Sequence, residues 1–552
     1  MNSNPTDAAA LPAPDVPLAQ AVDRPRDRWG ERLTKLSEFL NPILIKEARQ
    51  EMKSRQFSLT FALLLIAGWC WSIFSITTLS PGIYFAPSGA QLLIGYFMIL
   101  SVPMLIVIPF SAFRSLSGER EDGTFELLSI TTLSARQIVC GKLSSAVLQM
   151  LVYYSALSPC IAFTYILRGI DIPTIVFVLV WTFLISLGLA IVSLLFATIT
   201  RAKHWQAILS VIVIIGLGIA TIAWNIGVFS IVMESGGMPI DQAEFWVAMG
   251  CLLTALASFS VLFVFAAASR ISFASDNAST RLRITMLAQQ MLLIGWMVLG
   301  ALSYDTRFSV YFSITVAGIY WALIGSIMTG ESSKMSPRVR RQLPQSVAGR
   351  VFFNWFFPGS GSGYMFVICN LSTVALIAWL AGTLEIFFNT AISVTATTAW
   401  KDKYDVYIFA IWAYVILYLG MGRLLYLLAC RLNPESLLLS FLLQFFTAIL
   451  GTAAPWLLQS WLSDFRSFSY EPLQFTNWMW TLTEIGMNGL TSEVETSLGL
   501  VFIFLVIVVG ANIILTAKEV EQTRQVQPNR ILEDELELHP ERLAKRALSP
   551  WD

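Results

Sequence analysis

The stretch PTIVFVLVWTFLISLGLAIVSLLFATI, residues 173–199, contains no charged side chain. About 20 mostly apolar residues in a helix are enough to cross the hydrocarbon layer of a membrane, so this segment is predicted to be a membrane-spanning helix. Of the 552 residues in the chain, 56% are hydrophobic and 13% are charged. Soluble domains have about a quarter of their residues charged. The composition therefore predicts an integral membrane protein.

Further apolar windows of this length recur along the chain and bring the total to twelve. The sequence thus predicts an all-α polytopic membrane protein with about twelve transmembrane helices. The spans are expected at residues 58–79, 90–112, 145–167, 173–199, 206–233, 245–269, 285–304, 309–329, 364–384, 406–429, 436–460 and 497–516.

Lysine and arginine in the connecting loops predict the orientation of the chain, because cytoplasmic loops carry more of them. With the N-terminus inside, the inner loops hold 15 basic residues and the outer loops hold 5. Both termini are therefore expected in the cytoplasm. Residues 1–40 are predicted to be a disordered tail, because they lack the apolar core of a signal peptide. Residues 517–552 form a second, highly charged cytoplasmic tail.

Several classes of chemistry are disfavoured by the residues that the chain lacks. Its two histidines, His204 and His539, are far apart, and no CxxC pair occurs, so we expect no metal and no cofactor. No Walker motif occurs, so the chain is not expected to be an enzyme that hydrolyses ATP. The net charge is zero, which does not favour nucleic acid as a partner.

The predicted spans contain almost no ionisable residue, which disfavours a carrier driven by an ion gradient. Such carriers keep titratable groups near the middle of the membrane to bind the coupling ion. The polar residues of the spans are instead expected to form hydrogen bonds between helices. These residues are Gln149, Asn225, Gln290, Asn370 and Gln444.

Residues 41–57, NPILIKEARQEMKSRQF, predict a helix that lies in the membrane interface before the first span. Asn41 and Pro42 suit the start of a helix. Its apolar face is predicted to contain Ile45, Ala48 and Met52, and Glu51 is placed to pair with Arg55 at i, i+4. Its charged side chains, which would face the lipid headgroups and the cytoplasm, include Lys46, Glu47, Arg49 and Arg55.

An acidic segment, GEREDGTFELLSITTLSARQIVCGK at residues 118–142, follows the second span. Thr124 is a plausible N-cap for a short helix over 125–130. Ser134 and Gln137 have the spacing of a capping box, which would open the third span. The segment is predicted to be either a solvated acidic loop or a docking element for a protein partner.

The order of an NPxxxKExRxxxxSRxF helix, two spans and GEREDGTFELL…LSARQIVCGK resembles the permease subunits of ABC-2-type ATP-binding-cassette transporters. In that family the segment between the second and third spans forms a coupling helix that contacts a separate ATPase subunit. One departure is Thr132, where the family usually has proline. The resemblance implies that the coupling loop is 113–144 and that the ATPase-coupling residues are Glu119, Arg120, Glu121, Gly123, Thr124, Glu126, Leu127 and Leu128. Of these, Glu119, Glu121 and Glu126 are expected to contact the ATPase, and Gly123 and Thr124 to shape the bend.

The number of spans predicts two six-span units, 58–269 and 285–516, and leaves open whether the second is a degenerate repeat of the first. The inner loop 330–363 matches loop 113–144 in position, and its Gly330-Glu331 resembles Gly118-Glu119, although the rest of the loop is basic. The outer loop 461–496 is predicted to form either an interfacial or re-entrant helix or an ordinary aromatic belt.

The resemblance implies a permease subunit of an ATP-driven transporter in the bacterial inner membrane. It would form the translocation path, contact membrane lipids, couple to a separate ATPase, and pair with itself or with a second permease. The alternative hypothesis is a non-transporting membrane scaffold of an assembly complex that uses the same fold.

Overall fold

The structure is a computed structural model that describes residues 42–121, 133–199, 203–233, 238–273, 276–303, 306–332, 335–340, 343, 354–388, 394–431, 437–462, 469–522 and 537–538. These residues form helices, turns and irregular segments, and none of them lies in a strand. Within the described residues, twelve helices are long and apolar enough to cross a membrane. The predicted all-α polytopic fold is confirmed.

The first half of the chain contains the interfacial segment and six candidate spans. A π turn over Pro103–Val107 interrupts the second span, so two helices together form it. The helices are α1 Pro42–Met52, α2 Arg55–Leu79, α3 Gly89–Val102, α4 Ile108–Glu121, α5 Ala135–Ile166, α6 Ile172–Ala197, α7 Lys203–Met233 and α8 Ala243–Ile271.

The second half contains six further candidate spans and two short helices, α11 and α15. Most helices extend a few residues beyond the predicted windows, because a helix continues past the apolar residues that identify it. The helices are α9 Ser279–Ser303, α10 Thr306–Met328, α11 Pro337–Arg340, α12 Ser360–Phe388, α13 Val394–Ala429, α14 Leu437–Leu462, α15 Trp478–Asn488 and α16 Ser492–Gln522.

Each half has its own hydrophobic core. The buried residues of the first core run from Leu64 to Ala268, and those of the second run from Leu262 to Val508. The boundary between them falls in α8, which contributes Ala267 and Ala268 to the first core and Leu262 to the second. The chain is thus two helical bundles that meet along α8.

The spans of the two halves pack in the same order. In the first half the second span packs on the first, third, fourth and fifth, the third packs on the first, fourth and sixth, and the fourth packs on the fifth and sixth. The corresponding spans of the second half, counted from α9, make the same set of pairings. The two bundles therefore share one packing plan, although their sequences differ.

The two halves are joined by packing between α8 and α9, the sixth and seventh spans. The Trp296 ring of α9 lies 3.2 Å from the position that a Cβ atom on Gly250 of α8 would occupy. The same indole donates a hydrogen bond from Nε1 to Thr254 Oγ1 at 2.9 Å. A glycine on α8 therefore provides the space that an aromatic ring on α9 fills.

Three of the polar residues predicted to form hydrogen bonds between helices do form them. Asn225 on α7 donates to Ser101 Oγ at 3.1 Å, Gln290 on α9 accepts from Trp321 Nε1 at 2.9 Å, and Gln444 on α14 donates to the Leu419 carbonyl at 3.0 Å. Asn370 is different, because its amide donates to the Phe366 carbonyl of its own helix at 2.8 Å.

The loop between α14 and α16 folds back between the spans. Thr476 Oγ1 donates to the Gly451 carbonyl at 2.9 Å, and Gly451 lies near the middle of α14. From this turn α15 returns along α13, where Lys403 Nζ donates to the Met487 carbonyl at 3.1 Å. The loop is therefore re-entrant, in agreement with the first of the two alternatives predicted from the sequence. The corresponding position of the first half lies between α7 and α8, and no helix lies there among the described residues.

Candidate functional site

Helix α1 lies across the start of α5, and we call this end of the molecule the α1 end. The side chains of α1 that the bundle buries are Ile43, 5% exposed, and Glu47, also 5% exposed. Ile45 and Ala48 are only partly buried and Met52 is 45% exposed. The protein therefore leaves the predicted apolar face of α1 partly uncovered, which is the face that an interfacial helix turns to the membrane.

The predicted interfacial helix is in fact two helices. Helix α1 ends at Met52, and Ser54 caps α2 by accepting a hydrogen bond from the Phe57 backbone N–H at 3.1 Å. Serine satisfies a free N–H at a helix start in this way. Glu51 and Arg55 thus lie on different helices, and the i, i+4 pairing predicted for them does not apply.

Lys142, on the second turn of α5, is the centre of the α1 end. Its Nζ atom lies 3.0 Å from Glu47 Oε1 of α1 and 3.1 Å from Glu119 Oε2 of α4, and it donates to the Ser115 carbonyl at 3.3 Å. Lys46 Nζ approaches Glu119 from the solvent side at 3.5 Å. One ammonium group therefore connects the interfacial helix to the second and third spans.

This ion-pair cluster is largely removed from solvent. The side chains of Lys142, Glu47 and Glu119 are 1%, 7% and 15% exposed. Removing one partner of such a buried pair typically costs about 3–5 kcal/mol, because it leaves the other charge without compensation. The cluster thus fixes how α1, α4 and α5 meet.

A further carboxyl group, that of Glu51, lies beside the cluster. Burial raises the pKa of Glu51 above its ordinary value, and the neighbouring Glu47 raises it further. The charge of Lys142 and a hydrogen bond from Gln149 act in the opposite direction. Glu51 therefore holds its proton more tightly in the folded protein than in the unfolded chain.

Three of the predicted coupling residues lie at the end of α4, and each has different surroundings. Glu119 is held by Lys142 and Lys46 within the protein. Arg120 donates from Nη1 to the Thr198 carbonyl at 3.0 Å, where a cation stabilises the free carbonyls at the end of α6. Glu121, the last residue of α4, is exposed.

The remaining predicted coupling residues lie outside the described residues, and their contacts stay a prediction. They are Gly123, Thr124, Glu126, Leu127 and Leu128. The chain is described again from Leu133, and there the predicted capping box is confirmed. Ser134 accepts from the Gln137 backbone N–H, and the Gln137 side chain accepts from the Ser134 backbone N–H at 2.8 Å.

The predicted charged residues of the interfacial helix have different surroundings. Lys46, Arg49 and Arg55 are exposed at the surface of the α1 end, and Glu47 is buried. Glu47 thus belongs to the interior of the protein, whereas the three basic residues can meet lipid headgroups or a partner.

In the second half, an ion pair occupies the place that corresponds to the Lys142 cluster. Glu331 lies just after the end of α10, in the position that Glu119 has at the end of the second span. Its Oε2 atom lies 2.5 Å from Arg283 Nη2 of α9. Arg283 also donates to Ser362 Oγ at 3.1 Å, so α9, α10 and α12 meet at this point. The similarity of Gly330-Glu331 to Gly118-Glu119 therefore has a structural counterpart.

A second buried arginine, Arg423 of α13, lies at the same end of the molecule. Its guanidinium group is 0% exposed and pairs with Glu519 of α16 at 2.8 Å. Glu519 in turn accepts hydrogen bonds from Ser360 Oγ and from the Gly361 backbone N–H, both at 3.0 Å. The carboxylate thus occupies the start of α12, where helix N-terminal N–H groups favour a negative charge.

The sequence did not predict the buried or partly buried charged contacts of Lys142, Glu51, Arg283 and Glu519. Glu47 and Lys142 are separated by 95 residues in the chain, and only the packing of the bundle brings them together. One feature of the sequence could have pointed to these four residues. Each of them lies within a few residues of the end of a span, where a charge needs a partner or water.

No function can be assigned to this site by likeness. Comparisons with known protein families, with curated proteins and with solved structures find no match. Among the described residues, no group of three or more His, Cys, Asp or Glu side chains could hold a metal ion. What the geometry offers is a membrane-type helical bundle in which an ion-pair cluster lies where the chain enters and leaves the acidic segment.

Proposed function

We propose that this chain is the membrane subunit of an ATP-driven transporter and that it couples to a separate ATPase at the α1 end, which faces the cytoplasm. The observation that carries the proposal is the junction at Lys142. The acidic segment leaves α4 just after Glu119 and re-enters the bundle at Ser134, so both of its ends are attached to elements that Lys142 joins.

This arrangement supports a mechanical role for the acidic segment. A protein bound to residues 121–133 would pull on the last turn of α4 and the first turn of α5 together. Because Lys142 also contacts Glu47, a displacement of either helix would move α1. ATP-driven closure of two ATPase subunits could thus be converted into a rearrangement of the first three spans.

The charge distribution supports an external source of energy. The buried guanidinium groups of Arg283 and Arg423 each pair with a glutamate at the α1 end of the bundle. These pairs hold helices together, which differs from the mid-membrane titratable groups of gradient-driven carriers. A path lined by apolar side chains suits lipids, lipid-linked glycans or other amphiphiles better than free ions.

The experiment is a pull-down of the full chain from its native membranes in mild detergent, with mass spectrometry of the proteins that accompany it. The test variant carries Glu121→Lys and Glu126→Lys and leaves Glu119 intact, because Glu119 belongs to the internal cluster. We expect an ATPase to accompany the unmodified chain and to be lost from the variant.

The matched control carries the same charge changes at the opposite end, Asp241→Lys and Glu244→Lys, where both side chains are exposed. We expect this control to retain the ATPase. An ATPase that binds all three proteins equally would contradict docking at the acidic segment. If no ATPase accompanies any of them, the scaffold hypothesis replaces the transporter.

A further inference from the structure

The junction between the two halves joins unlike surfaces. It brings the sixth span of one bundle, α8, against the first span of the next bundle, α9. Because both bundles share one packing plan, the second bundle also has a sixth span, α16, and the first bundle also has a first span, α2. A contact of unlike surfaces can add further units in the same direction. In the described part of the chain, no extensive packing joins α2 to α16.

Helix α16 repeats the feature that makes α8 a docking surface. Gly250 is the eighth residue of α8, and Gly499 is the eighth residue of α16. The Trp296 ring fills the space beside Gly250, whereas a Cβ atom on Gly499 would meet nothing within 4 Å. Ile503 and Val506, on the following turns, are each 56% exposed. The hollow that is filled in α8 is thus open in α16.

Helix α2 carries the large apolar side chains that such a hollow would receive. Its sequence at 64–69, LLIAGW, resembles that of α9 at 292–296, LLIGW, with one alanine inserted before the glycine. Trp69 is 71% exposed, and Ile73, one turn further on the same face of α2, is 63% exposed. Trp69 lies near the middle of α2, whereas tryptophan in membrane proteins concentrates at the two interfaces. A lipid-facing position does not account for this placement.

We propose that α2 and α16 form a head-to-tail contact between two copies of this chain, equivalent to the contact between α9 and α8 within one copy. Trp69 of α2, with Ile73 beside it, would pack at Gly499 of the neighbouring copy. Glycine allows such close approach, and close packing is the main attraction between helices in a membrane. The proposal does not depend on the ATPase.

The test measures self-association of the full chain in lipid vesicles by single-molecule photobleaching, over a range of protein-to-lipid ratios. One variant carries Trp69→Ala and Ile73→Ala, and a second carries Gly499→Phe. We expect the association of each variant to be weakened about tenfold, because central aromatic anchors dominate such contacts. Matched controls are Trp461→Ala with Phe446→Ala on α14, and Gly216→Phe on α7, all at exposed or open positions.

Mixing the two variants tests the head-to-tail geometry. The α2 variant retains its Gly499 surface, and the Gly499→Phe variant retains its α2 surface, so the mixture can form one intact contact. We expect association to return in the mixture of differently labelled variants. If the mixture stays monomeric although each variant has lost self-association, the contact joins like surfaces and the proposal is wrong.

An independent measurement does not remove any packing side chain of α2. Cys70 is exposed on α2, and Ile503→Cys places a second thiol on α16. Oxidation should cross-link two copies, and Cys70→Ser should abolish the product. The control Ile219→Cys, at an exposed position on α7, should give no comparable product. An unmodified chain that is monomeric at every ratio, or variants that associate normally, would overturn the proposal.

Discussion

The helices of the two halves pack in the same order, but different ion pairs hold them together at the α1 end of the molecule. In the first half, Lys142 attaches a surface helix, α1, to the spans through Glu47 and Glu119. In the second half, Arg283 and Arg423 lie between spans and bind carboxylates there. The same helical plan therefore ends in a peripheral helix and an acidic segment in one half, and in arginines buried between spans in the other.

At the opposite end of the molecule, the second half carries the additional element. The second half has a re-entrant turn there, fixed by Tyr414 Oη, which donates to the Phe475 carbonyl at 2.7 Å, and by the contact of Thr476 with Gly451. In the described residues of the first half, only an irregular segment precedes α8. Each half thus carries its additional element at a different end of the molecule.

The largest effect is expected for Arg423→Ala. It leaves the partly buried Glu519 carboxylate without its main cation and removes the hydrogen bonds that the buried guanidinium donates to Ser360 and Asn512, so we expect the free energy of unfolding to fall by about 5 kcal/mol. Thermal unfolding in detergent measures the loss. The control is Arg338→Ala, because Arg338 is exposed and its pair with Asp276 is worth at most about 1 kcal/mol. Equal effects of the two substitutions would contradict the assigned role of Arg423.

A smaller loss, about 3 kcal/mol, is expected for Lys142→Met, because Glu119 keeps Lys46 as a second cation. We expect Glu47→Gln in the same chain to recover part of the loss, since it removes the uncompensated charge. Thermal unfolding of the single and double variants measures the coupling. If the double variant is less stable than Lys142→Met by the full effect of Glu47→Gln alone, the two residues are independent and the cluster is not a unit.

The re-entrant turn should respond to Tyr414→Phe, which removes one hydrogen bond to the Phe475 carbonyl and one to Thr481. We expect a loss of about 1 kcal/mol, the usual net contribution of a buried hydrogen bond. The readout is the rate at which a thiol reagent labels Ile485→Cys, because Ile485 is buried on α15 and a looser turn would expose it. Tyr165→Phe, at an exposed position on α5, is the control and should leave both stability and labelling unchanged.

The smallest effect is expected for Glu51→Gln, and it should depend on pH. Because the folded protein raises the pKa of Glu51, this group favours folding at low pH, and that contribution is lost as the pH rises through the raised pKa. We therefore expect Glu51→Gln to raise the melting temperature at pH 8 and to have little effect near pH 4. The groups that face Glu51 are Glu47, Lys142 and Gln149.

The control for this pH dependence is Glu244→Gln, at an exposed position at the opposite end. It should leave the melting temperature unchanged at both pH values. A stabilisation by Glu51→Gln that is equal at pH 4 and pH 8 would show that the effect is not due to the loss of a titrating carboxyl group.

The sequence by itself determined the number and position of the spans, because an apolar run of sufficient length has no other stable place than a membrane or a large core. It also determined the capping box at Ser134, since that motif is local. The apolar stripe of α1 is local as well, but it says nothing about which side chains of α1 the protein buries. That Glu47 is buried depends on its ion pair with Lys142.

Only the tertiary structure decided which charges meet and which surfaces remain open. Lys142 and Glu119 lie on neighbouring helices, but Glu47 reaches them only after α1 folds onto α5. The shared packing order of the two halves is likewise invisible in the sequence, because apolar side chains of similar size exchange freely within a bundle. Gly250 and Gly499 are equivalent by position, and the fold alone shows that one hollow is filled and the other is open.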